Sequence, residues 1–208
     1  LYSVKEIYYT IQGEGYHTGQ PAVFLRFSGC NLWTGLEKDR ATAQCKFCDT
    51  DFWGTDGALG GKYDATTLVD LCKSQWTDTQ SQPWIVCTGG EPLLQLDKTL
   101  IDAFHDKDCF IAIETNGTIE VPEDIDWVCV SPKLGSDLIV TQGDELKLVY
   151  PQKDVALERY EEMSFDHHSL QPLDDVHQEK NIRDCIDLCK QRPKWRLSLQ
   201  THKFMGIP

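Results

Sequence analysis

The sequence predicts an α/β chain whose parallel strands form an open, partial barrel, and three observations carry that prediction. Short apolar runs rich in β-branched and aromatic residues recur along the chain. Helix-spaced apolar residues separate several of them, and strand–helix–strand repetition implies parallel pairing with right-handed crossovers. The segments just after the runs gather Gly, Ser, Thr and other small polar residues, as loops beyond the C-terminal ends of parallel strands do when they carry a site. About six parallel strands in a chain of 208 residues are too few for a closed eight-stranded barrel.

In chain order, the strand-like runs are AVFLRFSG (22–29), WIVCTGG (84–90), CFIAIETNG (109–117), WVCVSPK (127–133), ELKLVY (145–150), HHSLQPL (167–173) and WRLSLQTH (195–202). Most do not alternate strictly, which fits strands buried on both faces. Ala65, Leu68, Val69, Cys72 and Trp76 keep helical spacing, as do Leu93, Leu96, Leu100, Ile101 and Phe104 after Pro92 at a first helical position. Residues 154–163 are a shorter, more polar helix candidate, and a segment around 177–190 closes the series. With no linker, repeat or low-complexity stretch, residues 1–208 read as one domain. The opening EIYYTIQ is amphipathic and a candidate contributor to a subunit surface.

The formal charge of −13 argues against a nucleic-acid partner, which requires clustered Lys and Arg. No apolar run approaches the ~20 residues of a membrane span, and the first residues lack the basic-then-apolar plan of a secretory leader. Nine cysteines in such a chain point to a reducing, cytoplasmic compartment. Six of them, Cys72, Cys87, Cys109, Cys129, Cys185 and Cys189, lie in apolar patterns and read as core residues; a metal site at Cys185 and Cys189 is the weaker alternative.

The other three form C-x14-C-x2-C at Cys30, Cys45 and Cys48, in a polar loop (29–54) after the first parallel strand. A disulfide with one spare thiol conflicts with the compartment, and three unrelated core cysteines conflict with the polarity around them. Zinc would need a fourth ligand, for which His17 is a candidate. An iron–sulfur cluster held by three thiolates would leave one iron open to a substrate or cofactor. Zinc and cluster both stay open on these residues alone.

Position, the terminal C-x2-C and Phe47 before the last cysteine resemble the radical S-adenosylmethionine superfamily, whose usual spacing is the shorter C-x3-C-x2-C. TGGEP (88–92) resembles its GGEP segment. YTIQGEG, FLRFSGCNL, CKFCDT, ETNG, SPK, QPLD and QTHK, spread over the whole chain, resemble one family within it, the 7-carboxy-7-deazaguanine synthases.

That resemblance implies the conversion of 6-carboxy-5,6,7,8-tetrahydropterin to 7-carboxy-7-deazaguanine with loss of ammonia, a step toward queuosine and related bases. It implies a 4Fe-4S cluster on Cys30, Cys45 and Cys48, S-adenosylmethionine at its open iron, Mg²⁺, a flavodoxin- or ferredoxin-like electron donor and a homodimer. The adenosyl radical would take a hydrogen from C6 of the pterin, and the ring would then contract. Cofactor contacts implied are Phe47, Cys48, Asp49, Gly90, Glu91, Ser131, Pro132, Lys133, Gln171, Pro172, Leu173 and Asp174. Substrate contacts implied are Ile11, Gln12, Gly13, Glu14, Arg26, Thr88, His202 and Pro208, with Thr50 the Mg²⁺ ligand. Each has a plainer alternative: turn chemistry for SPK and QPLD, an internal ion pair for Arg26, a capping role for Thr50, an exposed loop for His202. Two other classes compete, a zinc-stabilised binding module without catalysis and a glycyl-radical activating enzyme acting on a protein.

Overall fold

The computed structural model describes residues 1–208. Nine strands build it: β1 (Tyr2–Ile11), β2 (Pro21–Phe27), β3 (Gly61–Tyr63), β4 (Trp84–Gly89), β5 (Phe110–Thr115), β6 (Trp127–Val130), β7 (Gln142–Tyr150), β8 (Ser164–Pro172) and β9 (Trp195–Leu197). The helices are α1 (Ala65–Gln75), α2 (Lys98–His105), α3 (Leu157–Glu161), α4 (Gln178–Gln191) and α5 (Thr201–Met205). One sheet holds all the strands in the order β3-β1-β2-β4-β5-β6-β7-β8-β9, and its two ends do not pair. From β2 through β4 to β9 every pairing is parallel. The expected open, parallel α/β sheet is therefore present, with seven parallel strands where about six were expected.

The sheet extends beyond that prediction on one side. The opening segment is strand β1, antiparallel to β2 along most of its length and to β3 over Tyr2–Val4. Val4 and, within EIYYTIQ, Ile7 are buried there and serve the core of their own chain, while Tyr9 stays exposed. The C-terminal run is shorter than expected: β9 ends at Leu197, and Thr201 already begins α5.

Two helices enter on side-chain caps. Asp64 accepts from Thr67 N–H and Asp97 from Leu100 N–H, each satisfying a donor that a helix start leaves free. Pro92 opens a short 3₁₀ turn (Pro92–Leu94), and α2 starts separately at Lys98. The helices cover one sheet face. There Val23, Leu25, Phe27, Ile85, Cys87, Ile111 and Ile113 pack with Leu68, Cys72, Leu100 and Phe104, all fully buried or nearly so. A second cluster joins Leu146, Leu148 and Leu170 to Leu157, Cys185 and Trp195.

Because successive strand residues point to opposite faces, the intervening positions face the other way. Arg26 and Thr88 are register partners on β2 and β4, and Lys147 and Ser169 on β7 and β8. The loop after β1 crosses this inner face: Tyr16 N–H donates to Glu145 on β7, and Gly15 N–H donates to Ser198 Oγ beyond β9. These contacts curl the two ends of the sheet toward each other.

Gly89 marks the tightest approach. It has φ 145°, and a Cβ there would fall 2.3 Å from the Phe27 carbonyl oxygen. Gly89→Ala is expected to destabilise the protein by more than ~1 kcal/mol, because its backbone favours glycine and no flexible side chain can yield. A lowered melting temperature with retained secondary structure checks this.

Candidate active site

The cysteine loop leaves β2 at Gly29 and returns at the buried Phe52. Its middle is an excursion that closes on itself. Gln44 and Cys45 N–H both donate to the Leu32 carbonyl, at 3.1 and 3.4 Å. Cys45 therefore stands beside Leu32 although fourteen residues separate it from Cys30 in sequence. Within the excursion, a 3₁₀ turn (Glu37–Thr42) carries Arg40. The Arg40 guanidinium lies 4.0 Å from the centre of the Trp33 ring and donates to the Lys46 and Cys48 carbonyls. Phe52 and Trp33 meet edge to face and seat the loop.

Cys30, Cys45 and Cys48 line one cavity. The Cys48 thiol is pulled down to about 6, chiefly by a hydrogen bond from Cys45, while that contact and burial push the Cys45 thiol up. Burial also raises Cys30. Around the thiols the same cavity gathers Phe47, Asp49 and Thr50 from the loop, Gly90 after β4, Ser131 and Lys133 after β6, and Gln171 through Asp174 at the end of β8. Lys133 Nζ donates to Ser131, at 2.8 Å to its carbonyl and 2.7 Å to its hydroxyl. Two expected cofactor contacts stand back from this wall: Glu91 is fully buried, Pro132 is buried, and neither lines the cavity.

A second cavity adjoins the first. Ile11 comes to it from the end of β1, Gln12, Gly13 and Glu14 from the loop that follows, Arg26 and Thr88 from neighbouring strands, and His202 and Pro208 from the C-terminal segment. His202 lies so close to Gly13 that a Cβ there would fall 2.2 Å from its Nδ1. Burial lowers its pKa, against the pull of Glu14 and Asp49. Arg26 already has an internal partner, with Nε 2.8 Å from Glu6 and Nη2 2.7 Å from the Tyr8 hydroxyl.

Two residues that sequence reasoning missed, Glu114 and Lys147, join the expected Glu14 and Thr88 in the wall between the cavities. Lys147 Nζ lies 2.7 Å from Glu14 and 2.8 Å from Glu114, and all three line both cavities. Burial would raise the Glu14 carboxyl, but Lys147, Gln200 and His202 hold it down at about 2. Burial raises Glu114 despite Lys147. At the mouth, Lys203 Nζ bridges Asp49 at 2.6 Å and Asp174 at 2.5 Å.

His17, the candidate fourth ligand for zinc, sits elsewhere. It packs between Trp84 and Trp127, at the N-terminal ends of β4 and β6, whereas the cysteines stand beyond a C-terminal strand end. No three His, Cys, Asp or Glu side chains are gathered as they would be around a single ion. Cys72, Cys87, Cys109 and Cys185 take their expected core places, and Cys129 is buried on the inner face beside Glu114.

No family model matches the chain. Relatives do, over its whole length. A 7-carboxy-7-deazaguanine synthase from Bradyrhizobium diazoefficiens is 55% identical over 207 residues, 99% of each chain. One from Burkholderia multivorans is 54% identical over 208 residues, 100% of this chain and 99% of its own. This chain belongs to the 7-carboxy-7-deazaguanine synthase family. The crystal structure of QueE from Escherichia coli agrees in fold, with a TM-score of 0.72, 28% identity and coverage of 95% of this chain and 93% of that one. For a 7-carboxy-7-deazaguanine synthase family member, the long C-x14-C spacing is the feature that departs from the usual superfamily motif, and the Leu32 closure absorbs it.

Lys147→Met is expected to destabilise the protein by about 3–5 kcal/mol at neutral pH, because it strands two buried carboxylates. Glu14 is a depressed acid, so its stabilisation is present above the ordinary carboxylate range and lost as pH falls toward about 2. The deficit of the variant should therefore shrink as pH falls through that range, measured by denaturant unfolding from about pH 5 to 2.

Proposed function

We propose that this chain converts 6-carboxy-5,6,7,8-tetrahydropterin to 7-carboxy-7-deazaguanine with loss of ammonia, as a radical S-adenosylmethionine enzyme of queuosine biosynthesis. One observation carries the reading: a cavity lined by three thiols shares a wall of Glu14, Thr88, Glu114 and Lys147 with a second, polar cavity. Cofactor and substrate would meet across that wall.

The residues fit a 4Fe-4S cluster. Cys30, Cys45 and Cys48 line the first cavity with no fourth cysteine and no histidine, so one metal corner would be left to an exchangeable ligand. Bound together, cluster and S-adenosylmethionine supply one-electron reduction and a carbon-centred radical able to take a hydrogen atom from the pterin. Lys133 offers an ammonium for the cofactor carboxylate. Phe47, Asp49, Gly90, Ser131 and the Gln171–Asp174 segment would hold the rest of the cofactor.

In the second cavity Arg26 keeps Nη1 for a ligand carboxylate while Glu6 and Tyr8 hold its other face. Glu14, held ionised, accepts N–H groups from the pterin's guanidine-like edge. Gln12 and His202 set the plane of the ring beside it, and Ile11, Gly13 and Pro208 complete the floor. The wall, with Lys147 buried and Glu14 and Glu114 largely so, limits water around the reacting carbon. Thr50 lines both cavities and is the proposed protein ligand for Mg²⁺, whose remaining sites substrate and water would fill.

The working unit in this reading is a single domain, residues 1–208, in a cytoplasmic homodimer reduced by a flavodoxin- or ferredoxin-like donor. Nine free cysteines suit that compartment, and no helix is long and apolar enough to cross a membrane. An activating enzyme would have to admit a protein segment, whereas the second cavity is lined by charged and amide side chains at a scale suited to a small polar heterocycle.

Anaerobic reconstitution should give about four iron per chain with charge-transfer absorption in the visible, and Cys45→Ala should lose both. Zinc alone after iron reconstitution would sink the reading. With reductant, S-adenosylmethionine and the carboxypterin, mass spectrometry should find 7-carboxy-7-deazaguanine. Arg26→Met should raise KM for the carboxypterin by about 10- to 100-fold, the worth of one charge-assisted hydrogen bond, while leaving iron content unchanged.

A further inference from the structure

We propose that Glu91, which touches neither cavity, is the positioning residue for Cys30, and that it works by gripping both of that cysteine's neighbours in the chain. Its backbone N–H donates to the Gly29 carbonyl at 3.0 Å. Its carboxylate is reached from the other side through a short relay. Asn116 N–H donates to Glu91 Oε2 at 2.8 Å, and Asn116 Nδ2 donates to Asn31 Oδ1 at 2.9 Å. Asn31 Nδ2 in turn donates to Thr118 Oγ1 at 2.8 Å, and Thr118 Oγ1 donates back to Asn116 Oδ1 at 2.6 Å. Gly29 and Asn31 are thus both tied to one residue on the neighbouring strand end.

Cys30 needs that grip. It follows Gly29, whose φ of 97° lies where glycine moves most freely. Its own sulfur is met only by the backbone N–H groups of Leu32, at 3.4 Å, and Trp33. Cys45 is fixed by contrast through its backbone and its contact with Cys48. Close packing sharpens the arrangement: a Cβ on Gly90 would fall 2.3 Å from the Gly29 oxygen and 2.6 Å from Cys30 Cβ. The Glu91 carboxylate has no exposed surface, and its other oxygen accepts from Leu93 N–H and the Thr115 hydroxyl, at 3.0 and 2.8 Å. The Leu93 and Asn116 N–H groups and the Thr115 hydroxyl are all placed to donate to the carboxylate, against the upward push that burial gives its pKa. An amide at this place would turn an NH₂ toward one of those donors.

The consequence for the cluster rests on the function proposed above; the clamp itself does not. The test therefore reads both. Iodoacetamide labelling of the folded, iron-free protein, followed by peptide mass spectrometry, gives the rate at Cys30 relative to Cys45. Chelator-driven release of iron from the reconstituted protein gives cluster retention. Glu91→Gln and Asn31→Ala are each expected to raise the Cys30 ratio and the iron-release rate several-fold, and the double variant should go no further than Glu91→Gln alone. Thr115→Val, which removes a Glu91 contact outside the relay, should lower the melting temperature and leave the Cys30 ratio unchanged. Asn31 is exposed, so its variant carries the test if Glu91→Gln does not fold. A wild-type Cys30 ratio in Asn31→Ala, or an equal rise in Thr115→Val, overturns the clamp. Wild-type protein that takes up no iron while the ratios move as expected would leave the clamp standing and remove the cluster reading instead.

Discussion

The inner face of this sheet depends on one buried ammonium. Lys147 is 6% exposed at its side chain and stands between Glu14 and Glu114. Either carboxylate alone would resist burial, and the two together would repel; the cation between them makes both tolerable. The triad also joins three parts of the chain that the sheet does not pair directly: the loop after β1, the end of β5 and the middle of β7. Without it, the loop carrying Gln12, Gly13 and Glu14 would lose a main attachment to the face it covers. Folding and site assembly thus use the same interaction, which is why the wall between the cavities is charged rather than apolar.

The cysteine loop solves a different problem. Thiols at widely separated sequence positions must converge without a rigid element between them, and ordering such a segment costs conformational entropy. Closure at Leu32 shortens the effective path, the Arg40 guanidinium ties the excursion to the Cys48 carbonyl, and Glu91 holds the far side at Gly29 and Asn31. These anchors do not touch one another. Each fixes one end of the loop to a strand end or to the loop itself, so the three cysteines are placed largely through their backbone and their chain neighbours, with the Cys45–Cys48 contact added.

Much of this was legible beforehand, and for a physical reason. Parallel strands buried under helices need dense apolar runs, and strand ends that bear a site need small polar residues; both signals survive in a single sequence. β1 was harder to read because its apolar positions are broken by Lys5 and Glu6. Lys5 is buried nonetheless, paired with Asp51 and Asp56. ELKLVY reads as a strand from its apolar residues, and its alternation was the available sign that Glu145 and Lys147 point inward. Glu91 shows the converse limit. Motif position places it beside the cofactor, but whether a carboxylate after two glycines faces a cavity or turns back to backbone donors depends on the neighbouring ETNG turn, which lies more than twenty residues on.

The distribution of cations explains how a strongly acidic chain can hold anionic ligands. Most of the site's positive groups are already answered: Arg26 by Glu6, Lys147 by Glu14 and Glu114, Lys203 by Asp49 and Asp174. Lys133 is different. Its ammonium is met by the carbonyl and hydroxyl of Ser131 and by no carboxylate. A ligand carboxylate entering the first cavity therefore gains a full charge partner there without displacing a protein acid, whereas at Asp49 and Asp174 it would have to compete with them. In the second cavity Arg26 is already paired with Glu6, and only its Nη1 is left over for a ligand carboxylate. The formal charge of −13 bears on long-range encounter, and screening confines that to about 8–10 Å at ordinary ionic strength. Within the cavities, which cation lacks an acid decides where a carboxylate will sit.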